Sequence, residues 1–204
     1  MDNQPINTLK RHKRRHNMCY DIYIKIKKEL SQENVDIPML VKKLDDKVRR
    51  EFCSRFYIDY NPNYKDSTLV TGSARSGTTW IADIINYNNE YRYMFEPFNP
   101  IYVDLCKDFK YRQYIRPTNK SKKFLNPVKR ILSGQIKNTW VDHLNRKFFC
   151  KKRLIKDPRA TLFLKWIHVN FPGVPLILVL RHPCAVVYSR MKLNWPHHVD
   201  ILLE

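Results

Sequence analysis

After the apolar pair Leu69-Val70 comes Gly72-Ser73-Ala74-Arg75-Ser76-Gly77-Thr78-Thr79-Trp80, a run whose residue types and spacing can hold a phosphate. Gly72 permits a tight turn, and Gly77 lets main chain approach an oxyanion closely. The unpaired N–H groups and positive dipole end of the helix that follows favour an anion there. Thr78 and Thr79 add hydroxyl donors, and Arg75 adds a fixed cation with forked donors. A loop for nucleoside triphosphates carries a lysine after its second glycine; here Thr78 stands in that place and the cation sits inside the loop. The chemistry indicated is phosphate recognition by something other than an ordinary NTPase. Trp80 closes the run, either packing the helix or stacking on a bound group, with packing the preferred reading.

A second constellation lies near the end of the chain. Arg181 follows an apolar run, His182-Pro183 makes a turn, and Ser189 falls two turns into the next helix. One arginine and one hydroxyl so placed can clamp a second phosphate, although a surface arginine and a helix serine would look the same. His182 reads as a turn residue. The lone pair His197-His198 has no accompanying ligands for a metal, and no metal site is expected.

The two runs together carry a resemblance. Ser73-Ala74-Arg75-Ser76-Gly77-Thr78-Thr79-Trp80 is similar to the 5′-phosphosulfate loop of sulfotransferases that use 3′-phosphoadenosine 5′-phosphosulfate (PAPS), and Arg181-His182-Pro183-Cys184-Ala185-Val186-Val187-Tyr188-Ser189 is similar to their 3′-phosphate motif. Order and separation also match, over about residues 67–195. The resemblance implies a P-loop-like α/β fold. It implies PAPS as co-substrate, with Arg75, Ser76, Gly77, Thr78, Thr79 and Trp80 around its 5′ end and Arg181 and Ser189 on its 3′-phosphate. It also implies a hydroxyl-bearing acceptor, a carbohydrate or glycolipid, because arginine at position 75 is more like the carbohydrate-type and bacterial members than the cytosolic ones. The Lys-Thr-His segment that supplies a histidine base in the phenol and steroid enzymes is not found; the strand end reads Leu154-Ile155-Lys156-Asp157-Pro158-Arg159. Glu96, in Tyr93-Met94-Phe95-Glu96-Pro97-Phe98, resembles the Glu-Pro pair whose glutamate is the general base of carbohydrate-type members. The acceptor hydroxyl must lose its proton as the sulfuryl group arrives, and a carboxylate between aromatic residues can have a raised pKa. A strand-end carboxylate paired with a nearby arginine is the bland alternative. Asp157 is the weaker candidate, since Asp-Pro is also an ordinary turn. Lys156 and Arg159 are placed to touch the co-substrate or a charged acceptor.

These residues need elements to hold them. Residues 67–71 and 92–95 read as strands, the second stopped by Pro97 and Pro100. Residues 154–156 make a third, closed by Asp157-Pro158. The apolar residues 175–180 suit a strand buried on both faces. Helices are expected over 78–87, over 160–170 up to Phe171-Pro172-Gly173, and over 185–192. Strands alternating with helices predict an α/β fold, and with the resemblance a P-loop-like, three-layer arrangement: a central parallel sheet flanked by helices. Such sheets bind ligands beyond the carboxyl ends of their strands, where these motifs fall. Upstream, residues 1–16 are expected to be a basic flexible tail and 17–66 a helical segment, with Leu40, Leu44, Val48 and Phe52 forming one apolar stripe. Residues 67–204 would be the α/β domain, short at its C-terminus relative to the family it resembles, with PAPS affinity weakened accordingly.

Bulk properties bound the rest. The 204 residues carry a formal net charge of +19, and the excess is spread along the chain rather than gathered in one arm. That suits an anionic ligand as well as nucleic acid, which is not the expected partner. Five cysteines without a CxxC pair indicate neither zinc site nor disulfide framework, and a reduced, cytoplasmic compartment is expected. No run approaches the roughly 18 apolar residues of a membrane span. Residues 107–130 hold nine basic residues and one acid, with Tyr111, Tyr114 and Phe124 interleaved. Loops and short helices are expected there, serving as a solvated insertion, a polyanion surface or an acceptor-binding lid. Two other functions compete with sulfuryl transfer: a nucleotide kinase, disfavoured by the missing loop lysine, and an inactive remnant that binds polyanions.

Overall fold

The computed structural model describes residue 50 and residues 52–193. The basic tail, most of the Leu40–Phe52 stripe and His197-His198 lie outside the described residues.

Four strands form the main sheet: β2 (Ser67–Gly72), β3 (Tyr91–Phe95), β5 (Lys152–Lys156) and β6 (Leu176–Val179). They are parallel, in the order β3-β5-β2-β6. Side chains alternate across a strand, and the register turns that alternation into two apolar layers. Leu69, Met94 and Ile155 point to one face, where Val128, Ile131, Phe163, Trp166 and Ile167 cover them. Val70, Tyr93 and Leu154 point to the other, against Ala82, Ile81 and Ile85 of α1 (Thr78–Ile85). The first face is covered by α2 (Lys122–Leu132), the 3-10 helix Pro158–Phe163 and α4 (Leu164–Asn170). This is the expected α/β sheet between helices.

The chain leaves β2 for β3, returns through β5 and then crosses to β6 on the far side of β2. The order reverses beside β2, which opens a crevice at the carboxyl ends of the strands. Two expectations are revised. The strand near 175–180 is not buried on both faces: Leu178 is 45% exposed and Leu180 81%. Burial there depends on pairing, and β6 is an edge strand that bonds only to β2 among the described residues. The helix expected over 160–170 begins as the 3-10 helix Pro158–Phe163, because Asp157 accepts from the Arg159 N–H and winds the first turn tightly. The basic stretch 107–130 runs into an 11-residue helix, α2, whose buried Val128, Ile131 and Leu132 leave Lys122, Lys123, Lys129 and Arg130 exposed.

A parallel strand pair, β1 (Ile58–Asp59) with β4 (Phe149–Cys150), is joined to the amino ends of the main strands by charge. Arg92 on β3 donates to Asp142 on α3 (Thr139–Asp142) and to Asp59 on β1, both at 3.0 Å. Arg153 on β5 donates to Asp59 at 2.7 Å and to Ser67 Oγ at 2.7 Å. Both arginines are fully buried. Among the described residues no helix is long and apolar enough to cross a membrane.

Candidate functional site

Four strand ends meet at the carboxyl edge of the sheet. At the end of β2, Gly72 lies against β6 so closely that a Cβ there would strike the Val179 carbonyl oxygen and approach Ser76 Oγ at 2.9 Å. The turn closes with Ser76 N–H on the Ser73 carbonyl at 3.0 Å, and Arg75 takes a left-handed backbone at φ 74°. Gly77 caps α1 at φ 98°, and a Cβ there would meet nothing within 4 Å. The first N–H groups of α1 have no intrahelical acceptor. Ser76 Oγ is buried and has no hydrogen-bond partner among the described residues. Thr78 is buried and Thr79 exposed. The loop therefore offers donors and an open approach for an oxyanion, and the orphaned Ser76 hydroxyl fits such a group. Trp80 is 67% exposed, which overturns the packing role preferred for it: its position on α1 faces away from the sheet.

The second motif comes to the first. Helix α5 (Pro183–Met191) starts after β6, with exposed His182 at its cap position. Arg75 Nε donates to Ser189 Oγ at 3.1 Å, and Arg181 donates to the Arg75 carbonyl at 3.1 Å. Residues more than 100 positions apart are thus joined in one cluster. Arg190 joins it too, reaching Ser73 Oγ at 3.3 Å and the Ala74 carbonyl at 3.4 Å while its Nε is buried without a partner among the described residues. Sequence reasoning passed over Arg190, and its adjacency to Ser189 was the only signal.

Glu96 ends β3. Its N–H bonds the Lys156 carbonyl at 2.8 Å, and its backbone is left-handed at φ 46°. Its two carboxylate oxygens are taken separately, one by Lys156 Nζ at 2.8 Å and one by Arg159 at 2.7 Å. Lys156 also lies 4.6 Å over the Phe95 ring. The raised pKa expected from aromatic surroundings is not found. Burial does push Glu96 upward, but the hydrogen bonds and charges of Lys156 and then Arg159 outweigh it and hold the carboxyl below its ordinary value. Asp157 behaves in the opposite way. Its complete burial raises it to about 6, against the pull of Arg159 and of two backbone N–H groups. It accepts from Phe98 N–H at 2.7 Å and Arg159 N–H at 2.9 Å. Both oxygens are committed to main chain and shielded from any acceptor, so Asp157 is a brace for the strand end rather than a base.

A cavity of about 380 Å³ lies between the loop and Glu96, lined by Ser73, Ala74 and Arg190 together with Arg159, Thr161 and Leu162. Tyr111 and Arg112 complete its wall, so part of the basic 107–130 stretch belongs to the site. Arg75 is outside that wall, on the turn that meets α5. Among the described residues no group of three or more His, Cys, Asp or Glu side chains could hold a metal ion. A family model described as the sulfotransferase family matches residues 68–199. No curated protein and no solved structure matches the chain.

Proposed function

Because the chain belongs to the sulfotransferase family, we propose that it transfers a sulfuryl group from PAPS to a hydroxyl of a carbohydrate or glycolipid. The observation that carries this reading is the meeting of the two anion motifs, Arg75 with Ser189 and Arg181 with the Arg75 carbonyl. A nucleotide with one anion at its 5′ end and another at its 3′ position calls for two such sites side by side. The orphaned Ser76 hydroxyl and the open approach at Gly77 support the same donor.

When bound, PAPS supplies the activated sulfuryl group. The loop N–H groups with Ser76, Thr78 and Thr79 hold its 5′ end beside Gly77 and Trp80, and Arg181 with Ser189 holds its 3′-phosphate. Arg75 stabilises the negative charge that grows between sulfuryl group and phosphate. A guanidinium serves there as a fixed charge and hydrogen-bond donor rather than as an acid. Glu96 accepts the proton that the acceptor hydroxyl loses as the new oxygen–sulfur bond forms. Lys156 and Arg159 keep Glu96 ionised at neutral pH and therefore weakly basic. Its proton transfer accordingly accompanies bond formation, when the acceptor oxygen has become acidic.

The test is sulfate transfer from labelled PAPS to a mixture of glycans. Arg75→Ala is expected to lower the rate about 10²–10³-fold and Glu96→Gln about 10²–10⁴-fold. Equal activity in wild type and both variants overturns the assignment.

A further inference from the structure

On the sulfotransferase reading, the transferred group lies between the loop, which holds the donor's 5′ end, and Glu96, which takes the acceptor's proton. The cavity occupies that space, so the side chains that line it are the ones that meet the sulfuryl group. The loop gives Ser73 and Ala74 to the lining, and its own cation, Arg75, is not in it. Arg75 turns instead to Ser189 on α5, at 3.1 Å. Three other guanidinium groups line the cavity: Arg112, Arg159 and Arg190.

The three are differently engaged. Arg159 donates to Glu96 at 2.7 Å, and Arg112 lies 5.9 Å from the Tyr111 ring centroid. Arg190 is the one that bonds the loop, at 3.3 Å to Ser73 Oγ and 3.4 Å to the Ala74 carbonyl. Both contacts are longer than the usual N–H···O range, and both acceptors are neutral. Among the described residues Arg190 makes no ion pair, and its Nε is buried without an acceptor. A buried guanidinium N–H left unpaired is costly, and such groups are normally satisfied by protein, water or ligand. Its place on the helix is not that of a surface cation. Arg190 stands one turn after Val186, the buried residue of α5, and so shares its inner face, while Val187, Tyr188 and Met191 are exposed. A forked cation with unused donors beside the loop is matched to an oxyanion that presents more than one oxygen.

Resting on the sulfotransferase reading, we propose that Arg190 is a further catalytic residue, whose guanidinium grips the sulfuryl oxygens from the cavity while Arg75 serves the phosphate end. As the acceptor oxygen bonds to sulfur, the bond from sulfur to the 5′-phosphate oxygen breaks. The electron pair stays on that phosphate oxygen, beside Arg75 and the loop N–H groups, and the acceptor's proton goes to Glu96. Arg190 holds the sulfur in line between the entering and leaving oxygens.

The experiment titrates the full chain calorimetrically with PAPS and with PAP, the desulfated product, which keeps both phosphates and lacks the sulfuryl group. Arg190→Gln is expected to weaken PAPS binding about tenfold or more, the worth of one charge-assisted contact, and to leave PAP binding within about twofold. Arg75→Gln should weaken both alike, because the phosphate it serves is present in both. Arg190→Lys keeps the charge without the fork and should recover part of the PAPS affinity. Lys192→Gln, on the exposed end of α5, should change neither affinity. Sulfate transfer by Arg190→Gln should fall about 10²-fold, and saturating PAPS should not restore it. A residue that merely braces Ser73 and Ala74 would lose PAP and PAPS together on substitution, and that result overturns the proposal. So does a PAPS-selective loss found in Arg75→Gln instead. Wild type that binds neither nucleotide removes the sulfotransferase reading and the proposal with it. Wild type that binds both, with Arg190→Gln weakened for neither, removes the proposal alone.

Discussion

Arg75 and Glu96 share a backbone conformation that side-chain-bearing residues seldom adopt, at φ 74° and 46°. Each such residue costs about 1–3 kcal/mol and persists where the surroundings dictate it, often at functional sites. Their residue types were legible in the sequence; their backbone conformations were not, because those are imposed by strand ends that converge only in the fold. The pKa of Glu96 was misjudged for a related reason. Aromatic neighbours in sequence suggested a poor environment for charge, whereas Lys156 and Arg159 arrive from β5. The lowered pKa has a definite sign. Stability from ionised Glu96 is fully present above the ordinary glutamate value of about 4.3 and is lost as pH falls through the lower folded-state value. The advantage of wild type over Glu96→Gln in thermal unfolding should therefore be constant near neutrality and shrink only below about pH 4.3. Asp157→Asn should act on stability instead. An amide cannot accept from both Phe98 and Arg159 N–H groups through its two ends, so unfolding in urea should show a loss of about 1–3 kcal/mol.

At the scale of elements, the phosphate loop is shaped by β6 and α5 as much as by its own glycines. The two glycines have separable jobs. Gly72→Ala drives a methyl group into the Val179 carbonyl, main chain that cannot swing aside. It should cost about 1–3 kcal/mol or more by loosening the β2–β6 pairing. Gly77→Ala meets open space but must hold φ 98°, a left-handed strain of roughly 1–2 kcal/mol. Its larger effect should be on the ligand, with PAP affinity falling about tenfold because the methyl group crowds the approach to the α1 N-terminus. Urea denaturation beside PAP titration distinguishes the two. The strands of the main sheet were readable from apolar runs and from the Asp-Pro, His-Pro and Pro-Gly stops, since those signals are local. By contrast, β1 falls inside the stretch 17–66 expected to be helical, and β4 carried no such signal. The exposure of β6 was not readable either, since it depends on which strand lies beside it.

At the scale of the molecule, the amino ends of the strands are held by a buried network of Arg92, Arg153, Asp59 and Asp142. A charged residue inside an expected strand gave no hint of full burial, and its partners come from distant segments. Arg92→Met would leave Asp142 buried without its cation and Asp59 with Arg153 alone, and should cost about 3–5 kcal/mol in denaturant unfolding, while any surviving folded fraction keeps PAP affinity, because the network lies at the opposite end of the sheet from the loop. By itself, the sequence determined the α/β class, the sulfotransferase kinship and the two anion motifs. All three reside in short-range patterns: apolar periodicity, glycine spacing, and a cation and a hydroxyl eight residues apart. Only the tertiary structure decided that Glu96 is an ion-paired carboxylate, that Asp157 is a brace and that Arg190 and Arg112 line the cavity. Each of these depends on which charges meet across the sheet, and Coulomb energies and desolvation follow distance in space rather than separation along the chain.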